Sequence, residues 1–291
     1  MCDQHYEDDL NEYLRKSGMS RRRFAALGVA MGLMAALPRA ANALDVHESD
    51  VEVSTSDGVA DCYFVHPASG AHAGVLIWPD ALGLRPAFRR MARRLAESGF
   101  AVLVVNPYYR RMRAPVIPDG ATFADQATRD IVMPLYQSLD ARTHVTDAKA
   151  FVAWLDAQAA VDKKRKLGTM GYCMGGPITM RTAAAFPDRV GAAASFHGGG
   201  LVTDQPDSPH LLVPQMKAHY LIAIAENDDQ REPQVKQVLR DAFARAGLPA
   251  EIEVYAGAMH GWCPPDSAVY NEAQAEKAWG RLLLMLQKAL A

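Results

Sequence analysis

The sequence predicts a single doubly wound α/β domain, with a mostly parallel sheet flanked by helices and opened by an N-terminal β-hairpin. Three observations carry that expectation. Val75 to Trp78, Ala101 to Val105 and Leu221 to Ala225 are continuous apolar runs, the pattern of strands buried on both faces of a parallel sheet. Between and beyond them lie segments whose apolar residues recur at helical spacing. The two kinds of segment alternate from about residue 50 to the end of the chain without a repeat or linker, which is the sequence form of helices wound on both sides of one sheet.

Taken in order, Val51 to Thr55 and Ala60 to His66 alternate apolar and polar residues around Ser56-Asp57-Gly58, a turn signal, and so form the hairpin. Val75 to Trp78 is the first core strand. Pro86 then stands at a favourable first-turn position, Phe88, Met91, Ala92 and Leu95 share one face, and Gly99 ends the helix. Ala101 to Val105 is the next strand. Helices over about 122–138, 144–160, 174–186, 233–246 and 269–290, with strands near 166–171, 190–196 and 251–255, complete the pattern. In such a sheet the reactive groups gather outside the carboxyl ends of the strands.

Composition removes several classes of function. The chain has 291 residues, 49% of them hydrophobic, which suffices for a large core and argues against disorder. Its 31 basic and 33 acidic side chains give a formal charge of −2, so no global field exists to hold a nucleic acid. Four cysteines, none in a CxxC pair or beside a metal-spaced histidine cluster, argue against a disulfide scaffold and against structural zinc.

Residues 1–43 read as an export signal. Ser20-Arg21-Arg22-Arg23-Phe24 leads into a mildly apolar run from Phe24 to Leu37, broken by Pro38 and followed by Ala41-Asn42-Ala43. The run is shorter than the roughly 20 residues that cross a bilayer core, so a permanent membrane anchor is not expected after processing. The arginine pair resembles the twin-arginine signature, which implies that machinery as a partner and a periplasmic, already folded protein. An ordinary secretory signal or an uncleaved anchor is the alternative. The remaining residues, 44–291, form the single domain.

The chemistry centres on one turn. Lys166 to Met170 reads as a strand and Ile178 to Ala185 as a helix, with Gly171-Tyr172-Cys173-Met174-Gly175-Gly176 at the junction. This is a G-x-nucleophile-x-G elbow with cysteine in the place of serine. Glycines flank the nucleophile because the strained turn presses it against neighbouring backbone, and the free N–H groups of the new helix favour a thiolate. A lone cysteine is more often a small buried hydrophobe; here its partners decide. Asp228 and Asp229 follow the run ending at Ala225, and His260 lies just past the strand near Glu251 to Tyr255. Either aspartate alone reads as a solvated turn and His260 alone as a loop histidine. Nucleophile, acid, histidine in that order, each after its own strand, is the order of the α/β-hydrolase fold. His197, in Phe196-His197-Gly198-Gly199-Gly200, also ends a strand and is expected to line the pocket.

Gly171-Tyr172-Cys173-Met174-Gly175-Gly176 and Gly257-Ala258-Met259-His260 resemble the elbow and histidine segment of the dienelactone hydrolases, and the resemblance spans roughly residues 50 to 290. It implies Cys173 as nucleophile, His260 as base and Asp228 as orienting acid, with Asp229 as the alternative acid. Asp80, in Trp78-Pro79-Asp80-Ala81-Leu82-Gly83, stands where the family has a carboxylate near the thiol, usually Glu, and is the candidate accessory carboxylate. The backbone N–H groups of Ala81 and Met174 would form the oxyanion hole. Tyr108 and Arg110, in Asn106-Pro107-Tyr108-Tyr109-Arg110, match positions that hold a substrate carboxylate, whereas Arg110, Arg111 and Arg113 otherwise read as a solvated basic loop. The implied activity is hydrolysis of an activated ester or enol lactone, a small-molecule substrate, through a covalent acyl-enzyme with no metal or organic cofactor. A general periplasmic carboxylesterase or thioesterase is the rival within enzymes. A non-catalytic thiol switch or ligand-binding protein on the same fold is the rival from another class. Cys62 and Cys263 are left either paired or as two separate thiols.

Overall fold

Alternation around Ser56-Asp57-Gly58 folds as expected into two long antiparallel strands, β1 (Val46–Thr55) and β2 (Gly58–Pro67), with Val51 opposite Cys62 and Thr55 opposite Gly58. The structure, a computed structural model, describes residues 43–291. The export signal expected over residues 1–43 therefore lies, apart from Ala43, outside the described residues. The hairpin continues into a sheet made by β3 (Ala73–Trp78), β4 (Phe100–Val105), β5 (Leu167–Tyr172), β6 (Val190–Phe196), β7 (His219–Ala225) and β8 (Ala250–Tyr255). Its order is β1-β2-β4-β3-β5-β6-β7-β8, antiparallel across β1, β2 and β4 and parallel from β4 to β8. Every residue of β3, β4 and β5 is buried, which is why these strands read as unbroken or nearly unbroken apolar runs.

Helices cover both faces. Proline at its first turn and extended backbone at Arg85 start α1 (Pro86–Glu97), and Gly99, at φ +98°, turns the chain into β4. Next come α2 (Gln126–Gln137) and α3 (Ala141–Ala157). Helix α3 begins three residues before the expected 144 because Asp140 and Thr143 form a reciprocal capping box, with Thr143 N–H donating to Asp140 at 2.7 Å. Then follow α4 (Gly175–Ala185), a 3₁₀ turn at Pro209–Gln215, α5 (Glu226–Arg231), α6 (Val235–Ala246) and α7 (Glu272–Ala289). The acidic stretch after β7, expected as a loop, forms α5: Glu226, Asp228 and Asp229 sit in its first turn, where carboxylates suit the helix dipole.

On one face of the sheet Phe88, Met91 and Leu95 of α1 and Trp279, Leu282 and Leu286 of α7 pack on Val75, Ile77 and Met170. On the other, Phe151 and Leu155 of α3 and Ile178 of α4 pack on Leu76, Trp78 and Leu103. Each large side chain so buried contributes roughly 1.5–3 kcal/mol. A separate small cluster of Tyr108, Val116, Ile117, Val132, Leu135 and Met174 packs α2 and the loop before it over the start of α4. Cys62, Cys173 and Cys263 are all free thiols, so Cys62 and Cys263 are unpaired. Among the described residues no helix is long and apolar enough to cross a membrane.

Arg110 departs from the sequence expectation. Its guanidinium donates two bonds to Asp147 of α3, at 2.6 and 2.9 Å, and a third to Asp57 in the hairpin turn at 2.9 Å, and it lies over the Tyr109 ring. Tyr109 hydroxyl donates to the same Asp147, whose side chain is 2% exposed. Arg110 thus pins the hairpin and the end of β4 to α3; two carboxylates of the protein occupy the fork expected to hold a substrate. Arg111 and Arg113 are exposed, as the loop reading has it, with Arg113 paired to Glu52. Replacing Arg110 by Ala leaves Asp147 buried without its cation, a loss of about 3 kcal/mol. Urea unfolding should therefore show a lower midpoint at unchanged slope, and any loss of ester hydrolysis should be the same for anionic and neutral substrates. A loss confined to anionic substrates would contradict this assignment.

Candidate active site

The elbow is shaped by contacts that only glycine tolerates. A Cβ on Gly171 would lie 2.0 Å from the Gly175 carbonyl oxygen, and one on Gly175 would lie 2.3 Å from the Trp78 carbonyl oxygen. Strand β5 and helix α4 therefore meet at van der Waals range against β3, and Cys173 between them takes the left-handed backbone, φ 52°, that a side chain rarely adopts. Cys173 N–H donates to the Phe196 carbonyl at 3.0 Å and Gly176 N–H to the Cys173 carbonyl at 3.1 Å, which fixes the turn to β6. The three thiols differ in setting. Burial pushes the thiols of Cys62 and Cys263 up, whereas Cys173 is half-buried at the head of a helix.

Opposite the elbow, three consecutive residues of α5 hold the histidine loop. Glu226 N–H donates to Ala258 O at 2.9 Å and its carboxylate accepts from Gly257 N–H; the Asn227 side chain accepts from His260 N–H at 2.8 Å; Asp228 Oδ2 lies 2.7 Å from His260 Nδ1. Asp229 instead binds Lys236 of α6 through both oxygens at 2.6 Å. Of the two aspartates that the sequence leaves open, Asp228 is the one that reaches the ring. Burial by itself would push the His260 imidazole down, but hydrogen bonding to Asp228 and to the Cys173 sulfur outweighs it and raises the ring from 6.5 to about 10. Asp228, His260 and Cys173 thus stand as a series whose first link is a 2.7 Å hydrogen bond and whose second is the influence of the sulfur on the ring.

The residues around this series take other roles than expected. His197 is 1% exposed, packed edge-on behind His260 with ring centroids 5.0 Å apart and against Trp262 at 5.2 Å. Burial first, and the neighbouring His260 second, hold it well below its usual range, so it backs the His260 ring as a neutral imidazole and lies too deep to line a pocket. Tyr108 is equally buried: its hydroxyl donates to the Ala81 carbonyl at 2.9 Å and lies 3.1 Å from Met174 Sδ. It orients the Ala81 peptide, and no hydroxyl is left for a substrate carboxylate. Asp80 is not free beside the thiol either, because both of its oxygens accept from Arg85, at 2.7 and 3.0 Å, while Oδ1 also accepts from Leu82 N–H. Ala81, Met174 and Cys173 all belong to the small apolar cluster over the elbow.

Sequence reading missed Arg85, Glu226 and Asn227. Glu226 and Asn227 had a weak signal, since both stand with Asp228 directly after an apolar strand; Arg85 had none, because its partners are remote. Among the described residues no group of three or more His, Cys, Asp or Glu side chains is placed to hold a metal ion.

Comparison with known proteins agrees with this architecture. The family model described as the dienelactone hydrolase family matches residues 60–290. The carboxymethylenebutenolidase of Rhodococcus opacus is 25% identical over 247 residues, covering 82% of this chain and 91% of its own. Among solved structures, a dienelactone hydrolase-like promiscuous phosphotriesterase from metagenomic libraries superposes with a TM-score of 0.70 at 20% identity, and the dienelactone hydrolase of Anabaena variabilis with 0.61 at 20%; each comparison covers 84% of this chain and 99% of the other. The structural likenesses speak for the α/β-hydrolase fold, and the family match over most of the chain decides its membership: this protein is a hydrolase that belongs to the dienelactone hydrolase family.

Proposed function

We propose that the protein hydrolyses an activated ester or enol lactone through a Cys173-His260-Asp228 triad. The observation that carries this reading is the 2.7 Å contact of Asp228 with His260 Nδ1, together with the pull of the Cys173 sulfur on the same ring and the left-handed elbow that holds the cysteine. His260 takes the proton of the Cys173 thiol, which frees the sulfur as the nucleophile. The thiolate attacks the carbonyl carbon, a C–S bond forms, and the oxyanion is held by the N–H groups of Ala81 and Met174. Collapse breaks the C–O bond, and the proton on His260 passes to the departing oxygen. Water then gives a proton to His260 and attacks the thioester, which releases the carboxylic acid and restores the thiolate. Asp228 holds His260 by Nδ1, so that Nε2 serves the sulfur and the water.

Because a thiolate leaves more readily than an ordinary alkoxide, the first intermediate returns to substrate unless the leaving oxygen is stabilised. Enol lactones and aryl or enol esters meet that condition; simple alkyl esters do not. We further propose, on Ser20-Arg21-Arg22-Arg23-Phe24 and Ala41-Asn42-Ala43 alone, that residues 1–43 are a twin-arginine-type signal and that a folded domain of residues 44–291 acts in the periplasm. N-terminal sequencing of the exported protein should start at Leu44; an apolar run retained in the membrane fraction would argue against export in this form.

Two further outcomes test the triad. Cys173→Ala should lower kcat at least about a thousandfold and Asp228→Asn about as much, while Asp229→Asn should stay within about threefold of the parent. Equal losses for the two aspartates would remove Asp228 from its role. By NMR the His260 ring should titrate near pH 10. Since that lies above its unfolded value of 6.5, its contribution to stability is complete below pH 6.5 and is lost as the pH rises through 10. A ring titrating near 6.5 would contradict the coupled series.

A further inference from the structure

Arg85 is 6% exposed and makes two forked ion pairs at once. Towards Asp80 its Nη1 and Nη2 donate at 2.7 and 3.0 Å; towards Asp266 its Nε and Nη2 donate at 2.7 and 3.0 Å, across 181 residues of chain. A fifth bond, from Nη1 to the Gly83 carbonyl at 3.3 Å, closes the set, and the guanidinium rests 4.9 Å from the centre of the Phe88 ring. All five donors of a rigid planar fork are oriented by these acceptors.

The two carboxylates stand on loops with different duties. Asp80 precedes Ala81 and, through Leu82 N–H to its side chain and Gly83 N–H to its carbonyl, both at 2.9 Å, shapes the turn that carries the Ala81 peptide. Asp266 lies on the segment that runs from His260 to the start of α7, a segment folded on itself by Asn271 N–H to Trp262 O at 3.1 Å and Ser267 N–H to Pro264 O at 3.0 Å. Neither loop belongs to a strand or helix, so regular backbone bonding leaves their spacing undetermined. Arg85 is a buried side chain bonded to both.

We propose that Arg85 is a positioning residue that sets the distance between the Ala81 N–H and His260 by clamping the Asp80 and Asp266 loops to each other. Asp80 thereby serves the backbone donor through Arg85, and exchange of a proton with Cys173 is not its task. The inference rests on the proposed role of Cys173 and His260. It adds that their alignment with the oxyanion donor is maintained by charge from outside the triad. A donor displaced by as little as 1 Å loses about a hundredfold in rate, so the clamp acts on the chemical step and leaves binding largely alone.

The test uses the full domain with Arg85→Lys, which keeps the charge and loses the fork, and Asp266→Asn, which weakens only the exposed end of the clamp. Arg94→Lys serves as the control, since Arg94 forms a comparable forked pair with Glu276, at 2.6 Å, between α1 and α7. With a p-nitrophenyl ester, both clamp variants should lose about ten- to a hundredfold in kcat with KM within about threefold, while Arg94→Lys lowers the melting temperature and keeps kcat. Hydrogen exchange supplies a readout independent of turnover: Asp266→Asn should speed exchange at residues 80–84 as well as at 259–271. Unchanged kcat in both variants, or faster exchange confined to 259–271, overturns the clamp. A wild-type protein that forms no acyl-enzyme on Cys173 defeats the functional reading instead, and the exchange result still decides whether the loops are coupled.

Discussion

The close approach of β5 and α4 to β3 at the elbow is the constraint on which the rest of the site depends. Gly171 and Gly175 let backbone touch backbone where any side chain would collide with a carbonyl, and the turn so made holds Cys173 at positive φ. That strain is borne by the fully buried strands on either side, whose core cannot relax without exposing Ile77, Trp78 and Met170. A half-buried sulfur at a helix head follows from the backbone alone. What the elbow cannot supply is the partner of the sulfur, and that comes from the segments after β7 and β8, two and three strands further along the same parallel sheet.

Loops at the carboxyl ends of parallel strands have no ladder to hold them, and here hydrogen bonds and buried charges do that work. Helix α5 grips the histidine loop with a backbone N–H and three side chains in succession, and the Tyr108 hydroxyl orients the Ala81 peptide. Arg110 fastens the hairpin to α3. In the proposed scheme Arg85 joins the Asp80 and Asp266 loops in the same manner. Ion pairs of this kind add little net stability over apolar packing but penalise any other arrangement of the loops, since each alternative buries an unpaired charge. A site whose proposed reacting groups come from four separate strand ends needs such penalties more than it needs extra core.

Much of this was legible in the sequence, for physical reasons that also mark where legibility stops. Strands β3, β4 and β7 announce themselves because burial on both faces permits only apolar residues. The elbow does so because its glycines are required sterically. The first half of β1, Val46 to Asp50, was not visible, since its residues are largely exposed and carry no apolar pattern. Helix α5 was missed because six residues do not complete two turns and show no period. Arg85, Arg110 and His197 failed for a different reason. An arginine beside a strand end looks the same whether its partner is a substrate or an aspartate 37 or 181 residues away. A histidine ending a strand looks the same whether it faces the crevice or packs behind another ring. Position along the chain is written locally, but the direction of a side chain is decided by elements that the local pattern does not contain.

The central claim is that hydrolysis passes through a covalent bond to Cys173, and rapid-quench mass spectrometry on an enol ester tests it most directly. The account predicts an acyl group on the peptide that contains Cys173, formed at one per protein within the first turnover and decaying at the rate of steady-state hydrolysis. Turnover without any acylated Cys173, or with the label on another residue, would contradict it.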